Sequence, residues 1–292
     1  GRMGAAQGLG DHPAPDAIRA LRRAVLQDSF WAVQAAAARA LGSMKTDRAL
    51  DALRDCRRVE HSKARRGVAA ALGEFKSDRA ARYLSEMLDG DESYYVAMVS
   101  AASLGRTRAG NAYEKLVAAL GRESHLESIR SGVFSGLSSL KDERAIDVAT
   151  EWTRAGKPSR TREAAIGVLG QLGENKPEVT DTLIDLLNDG WLRVRERAVG
   201  ALAQLKDTRA IGPLSRLADR DLDGRVVRES REAVRTIREG KNAPDDVKKL
   251  RTDLESLEEE NRTLKQRLEK LEQQVERSSK GSQRPARRRR RR

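Results

Sequence analysis

The chain has 292 residues, 35% of them charged and only 3% aromatic, with 7 prolines, 3 histidines and a single cysteine. Apolar positions are filled mostly by Ala, Leu, Val and Ile, a set that packs helices closely, and one cysteine excludes an intramolecular disulfide framework. The formal net charge of +13 is unevenly spread: 278–292 holds eight basic residues and no acid, which leaves +5 on the first 277 and makes the body only mildly basic.

A helix of small residues ending in Leu-Gly, or a degenerate form of it, recurs along the chain. Its anchors are Leu9-Gly10, Leu41-Gly42, Leu72-Gly73, Leu104-Gly105, Leu137-Ser138, Leu169-Gly170, Leu202-Ala203 and Ile237, between 31 and 35 residues apart. A fixed period of this length marks a solenoid of about eight helical hairpins. Each unit is expected to open at a polar cap, as at Thr46-Asp47, Ser77-Asp78 and Asp207-Thr208, where a side-chain oxygen can accept a free N–H of the first turn. Apolar residues at three- and four-residue steps follow, as at Leu183, Ile184 and Leu187, and then an acidic turn such as Gln27-Asp28, Asp89-Gly90-Asp91, Asn188-Asp189-Gly190 or Asp219.

The second helix places small residues one and four positions before its Leu (Ala37 and Ala40, Ala198 and Ala201), so that neighbouring helices can approach closely. The Gly after the Leu is expected to take the left-handed conformation that ends a helix. One hairpin cannot bury its own apolar face, so copies must stack. The aromatic residues Phe30-Trp31, Tyr94-Tyr95 and Trp191 share one slot at the start of the second helix and are expected to pack between repeats. Cys56 lies on the stripe of Leu53 and reads as a small core residue.

This pattern resembles short HEAT repeats, whose signature Val-Arg-x-x-Ala-x-x-Ala-Leu-Gly is approached most nearly by Val194 to Leu202. The fold class it implies is all-α: a right-handed α-α superhelix over 1–240, followed by a coiled-coil helix.

Past Pro244 the period changes to strict steps of three and four over 241–277. Val247, Leu254, Asn261, Leu268 and Val275 occupy a positions, and Leu250, Leu257, Leu264 and Leu271 occupy d positions. A lone Asn at an a position favours a parallel pair, and Asp246–Arg251, Glu260–Lys265 and Arg267–Glu272 match in charge across it; Asp253–Glu258 does not. A parallel homodimer is expected, with a helix folded back on the solenoid as the alternative. The stretch 278–292 has almost no apolar content and reads as a disordered tail. Its Arg287, Arg288, Arg289, Arg290, Arg291 and Arg292 could neutralise about six phosphates, without reading sequence.

The sequence has no H-E-x-x-H, no Gly-rich phosphate loop and no G-x-S-x-G elbow, and His12, His61 and His125 are far apart, each in a turn. Neither a catalytic residue nor a cofactor is therefore expected in this chain. The longest uncharged run, 93–105, is short for a membrane span, and no signal peptide is visible, so the expected location is cytoplasmic.

The runs Asp28 to Gln34, Glu60 to Arg66, Gly90 to Val96, Glu151 to Pro158 and Asp219 to Val226 together resemble the C-terminal HEAT-repeat region of prokaryotic zinc aminopeptidases of the aminopeptidase N type. The resemblance runs from about residue 2 to the heptads. It implies a parent metallopeptidase whose zinc ligands and Gly-x-Met-Glu-Asn loop lie upstream. No residue here matches those motifs, so no catalytic residue carries over and zinc is expected only in the upstream domain. Gly1 in place of Met, and a first repeat that begins at its second helix, give the expectation of a fragment. Two other readings are a standalone protein–protein scaffold binding a peptide on its concave face, and a nucleic-acid binder using the arginine tail helped by Arg130, Arg162 and Arg195.

Overall fold

A computed structural model describes residues 1–240, 252–258, 260–262 and 264. Among them there is no strand. The chain divides into two units, Gly1–Arg238 and Glu239–Arg292.

The first unit opens with α1 (Arg2–Gly10), and seven hairpins follow: α2 (Pro15–Gln27) with α3 (Trp31–Met44), α4 (Asp47–Asp55) with α5 (Ser62–Leu72), α6 (Asp78–Gly90) with α7 (Tyr94–Thr107), α8 (Ala112–Ala119) with α9 (Ser128–Leu140), α10 (Ala145–Thr153) with α11 (Ser159–Leu172), α12 (Pro177–Leu186) with α13 (Leu192–Leu205), and α14 (Ile211–Arg220) with α15 (Gly224–Gly240). The repeat read from the sequence is thus a helix pair. Thr46, Ser77 and Asp207 cap as expected, accepting N–H bonds from Ala49, Ala80 and Arg209.

The two helices of a hairpin are built differently. First helices such as α2 bury one stripe, Ala17, Ile18, Leu21 and Val25, and leave the other side in water. Second helices are buried on most sides: α3 encloses Val33 to Ala38 together with Ala40, Leu41, Gly42 and Met44. Consecutive second helices pack directly on one another from α1 through α13, whereas α2, α6, α8, α10 and α12 each meet chiefly their own partner; α4 instead packs more on α3 and α2. One continuous core of Ala, Leu, Val and Ile runs between the two layers from Ala6 to Ile237.

The Leu-Gly glycines correct the sequence expectation. Gly42, Gly105 and Gly170 lie inside their helices, and the left-handed residues come three positions after the first two of them, at Lys45 (φ 50°) and Arg108 (φ 53°). Lys141 (φ 59°) and Lys206 (φ 56°) take the same place in later repeats. A basic residue there suits the negative end of the helix. The glycines serve close approach instead. A Cβ on Gly105 would overlap the carbonyl oxygen of Gly136, and one on Gly132 the carbonyl oxygen of Met98, so α7 and α9 meet backbone to backbone.

In the second unit the described residues of 252–264 are helical, and Leu254, Leu257 and Leu264 are each more than half exposed. Asn261 is also exposed. The remaining heptad residues Val247, Leu250, Leu268, Leu271 and Val275, and the arginines Arg287 to Arg292, lie outside the described residues.

Candidate partner-binding face

Seven positions before each anchor Leu, the second helices carry Arg2, Gln34, Arg65, Ala97, Arg130, Arg162, Arg195 and, before Ile237, Ser230. Four of these arginines reach an aspartate 26 or 27 residues on, at the turn of the following repeat: Arg2 to Asp28, Arg65 to Asp91, Arg162 to Asp189 and Arg195 to Asp221. Each of the four aspartates also accepts, at 2.9 Å, the N–H two residues further on, that of Phe30, Ser93, Trp191 or Asp223. The carboxylate therefore closes its own turn and ties it to the previous hairpin.

Arg65 is the most completely engaged. Its Nε donates to Asp91 Oδ2 at 2.7 Å and its Nη2 to Oδ1 at 3.1 Å, while Nη1 donates to the carbonyls of Val59 (3.2 Å) and Glu60 (2.6 Å). The hydrogen bond that Arg65 donates to Asp91 is the main cause that raises the Arg65 pKa above its ordinary value. Burial raises the carboxyl of Asp189, but hydrogen bonds from Arg162 and the Trp191 N–H outweigh it and hold the group below the ordinary value. Asp221 is depressed in the same way, burial being outweighed by the Asp223 N–H and Arg195.

Where the arginine slot holds Gln34 or Ala97, the turn 26 residues on carries Glu60 or Glu123 in place of Asp. At Arg130 the position 27 on is Lys157, and Arg130 turns to Glu127 (2.6 Å) and the Leu120 carbonyl (2.8 Å). Arg130, Arg162 and Arg195 are consequently spent on turns, and a phosphate-binding role for them loses its support.

The surface left to solvent by the second helices carries a column of small residues two positions before five successive anchors, Leu72 to Leu202: Ala70, Ala102, Ser135, Gly167 and Gly200. Beside it, α11 and α13 bound an open groove of about 630 Å³ lined by Glu163, Ala164, Gly167, Gln171, Arg193, Glu196, Arg197, Gly200, Ala201, Gln204 and Glu229. The acids Glu163, Glu196 and Glu229 stand 33 residues apart, with Arg193 and Arg197 between them. Charges of both signs thus stand beside a floor of small side chains.

The aromatic slot divides. Trp31 and Tyr94 are half-buried between repeats as expected, whereas Phe30, Tyr95 and Trp191 are 47%, 40% and 65% exposed. Among the described residues no group of three His, Cys, Asp or Glu side chains could hold a metal ion, and no helix is long and apolar enough to cross a membrane. Cys56 is fully buried, and burial pushes its thiol up to about 12, which leaves it protonated and inert. Arginines at the positions of Arg130, Arg162 and Arg195 read from sequence as the kind that bond turns of a neighbouring repeat, but the aspartate partners, the groove and the exposed half of the aromatic slot are not legible there. The offset of 26 or 27 residues from Arg to Asp is the signal that could have found the partners.

A stack of helical hairpins, tied at four of its turns and offering a long ridged face, defines an α-solenoid of the repeat-protein class. The chain belongs to the HEAT-repeat family: the family's profile matches residues 1–73, 87–170 and 151–235. Among curated proteins none matches it. Similar solved structures include YibA of Escherichia coli, 15% identical with a TM-score of 0.50 over 80% of this chain and 96% of that one. The HEAT-like repeat protein of Thermococcus onnurineus NA1 is 16% identical, with a TM-score of 0.49 over 76% and 97% of the two chains. A chain of the CpcE–CpcF complex of phycocyanin lyase from Nostoc sp. PCC7120 is 20% identical, with a TM-score of 0.47 over 75% and 94%. At these identities the likeness is one of fold alone. The comparisons establish the repeat family and add no support for an aminopeptidase parent.

Proposed function

We propose that this chain is a non-catalytic scaffold that holds a protein or peptide partner against the face formed by its second helices. The observation that carries the reading is the continuous small-residue column from Ala70 to Gly200 with the mixed-charge groove beside it. Nothing lies within 4 Å of a Cβ built on Gly200, so a large side chain there fills the groove without disturbing the core. Affinity capture should therefore recover a partner with wild type and with Asp185→Lys on the exposed side of α12, and lose it with Gly167→Trp and Gly200→Trp. A partner retained by both tryptophan variants, or no partner at all, overturns the reading.

The heptads support pairing of two copies through Val247 to Val275. The exposed Leu254, Leu257 and Leu264 are an apolar stripe that a second copy would cover, with Asn261 fixing register. Sedimentation should give a two-chain species for wild type and a single chain for Leu257→Asp with Leu264→Asp. A monomeric wild type rejects the dimer. Binding of nucleic acid through Arg287 to Arg292 is a lesser reading, rejected if deleting 278–292 leaves DNA and RNA affinity unchanged.

The resemblance of runs such as Asp28 to Gln34 and Glu151 to Pro158 to aminopeptidase N-type enzymes supports a finer proposal, in which the solenoid shapes access to a zinc peptidase domain elsewhere in the same gene product. Zinc content and aminopeptidase activity in that product test it, and their absence removes it while leaving the scaffold reading in place.

A further inference from the structure

α5 lies between α3 and α7, and its two outward cations each cover an aromatic ring of a neighbour. Lys63 Nζ sits 4.7 Å from the centre of the Trp31 ring, and Arg66 Cζ sits 5.8 Å from that of Tyr95. Phe30 packs against Trp31 at 5.7 Å between ring centres, and Tyr94 against Tyr95 at 4.4 Å. His61 stands 5.9 Å from Trp31, and His125 the same distance from Tyr94. The same arrangement, an aromatic pair followed by a histidine one repeat later, thus occurs twice, 64 residues apart. Together these groups make one strip, from α3 to the turn before α9, in which apolar edges alternate with positive charge.

Three acids beside the strip are already committed, while the exposed Glu60 next to His61 is paired with neither Lys63 nor Arg66. Asp28 is taken by Arg2, and Asp91 and Glu92 by Arg65, so Lys63 and Arg66 are not neutralised by them. Most of the rings already carry a neighbour on a face. Trp31 has Lys63 over it and Tyr95 has Arg66, while Tyr94 and Tyr95 pack against each other at a tilt of 47°. Stacking of nucleobases needs open faces. What the strip offers outward is the ammonium and guanidinium N–H groups and the exposed apolar surface of Phe30 and Tyr95. Arginine and aromatic side chains side by side are the usual composition of strong protein–protein contacts.

We propose that Phe30, Lys63, Arg66 and Tyr95 form a docking site for a protein segment in which carboxylates alternate with apolar side chains. The carboxylates bond Lys63 and Arg66, and the apolar groups cover Phe30 and Tyr95. This rests on the scaffold reading and gives it the chemistry of one partner.

The test uses full-length protein carrying Arg287→Ser through Arg292→Ser, so that the tail adds no charge. The probes are a short labelled peptide repeating Glu-Leu-Asp-Phe, its counterpart repeating Lys-Leu-Arg-Phe, and a labelled oligothymidylate, all followed by fluorescence anisotropy. The acidic peptide should bind best and weaken with salt. Lys63→Glu with Arg66→Glu should lower its affinity by about tenfold or more. Phe30→Ser with Tyr95→Ser changes only exposed side chains; it should lower affinity without changing the salt dependence, and it decides the matter if the charge-reversed protein fails to fold. Acidic-peptide binding unchanged by the folded variants overturns the proposal, as does a preference for oligothymidylate. Preference for the basic peptide overturns it while leaving a peptide-binding scaffold standing. Failure of both peptides, with Gly200→Trp still losing a captured partner, likewise overturns only the acidic-segment inference.

Discussion

Arg65 and Asp91, 26 residues apart, form a forked ion pair between successive hairpins in which both side chains are nearly closed to water, at 9% and 8% exposure. Arg162 and Asp189 repeat it, with Arg162 Nε also held by the Thr153 carbonyl at 2.7 Å. The planar guanidinium suits this place because one group satisfies a carboxylate and a carbonyl at once.

Removing the arginine leaves a desolvated carboxylate with too few donors. Arg162→Ala should cost about 3 kcal/mol, on the scale for breaking a buried pair. At roughly 2–4 °C per kcal/mol this is a fall of about 6–12 °C in Tm. Arg162→Lys should recover only a part, since an ammonium cannot span both partners. Calorimetry of the three proteins checks this, and equal stability of the Lys variant and the wild type would remove the fork from the argument.

Two glycines should respond in opposite senses. Gly105→Ala drives a Cβ into the Gly136 carbonyl, so α7 and α9 must separate, and a loss of about 2–3 kcal/mol is expected. Gly200 lies within α13 with nothing near its missing Cβ, so Gly200→Ala should stabilise by about 0.5–1 kcal/mol through helix propensity alone. Denaturant midpoints of both variants decide it.

Acid should weaken the stack through the same rungs. Asp189 and Asp221 have folded-state pKa values below the ordinary aspartate value of about 3.9. Their contribution is complete above that value and is lost as pH falls below it towards the folded values. The Tm of the wild type should therefore drop between about pH 5 and about pH 3, and more steeply than that of Asp189→Asn with Asp221→Asn. Parallel pH profiles would assign acid sensitivity to other carboxylates.

Cys56 should be silent in the native protein. A thiol raised to about 12 and enclosed at the end of α4 has almost no thiolate at neutral pH. Reaction with a disulfide reagent should be negligible until denaturant is added; fast labelling of the folded chain would contradict its burial.

The hairpin stack was legible because it rests on local rules: polar caps at Thr46 and Ser77, and small residues before a fixed Leu. The role of Gly42 and Gly105 was not, because a glycine that ends a helix and one that admits a neighbouring backbone look alike until the neighbour is in place. The arginine of Val194-Arg195 was visible, but its partner Asp221 depends on how one hairpin sits on the next. The aromatic slot was half read: a periodic position tells that Trp31 and Phe30 recur together, and only the packing tells which of them faces water.

The central claim is that at four junctions one repeat is fastened to the next by an arginine and an aspartate acting as one unit. A double-mutant cycle on Arg65→Ala and Asp91→Ala tests it most directly. The account predicts a coupling of about 2 kcal/mol or more, with the double variant hardly less stable than either single one. Additive losses, with no coupling between the two positions, would contradict it.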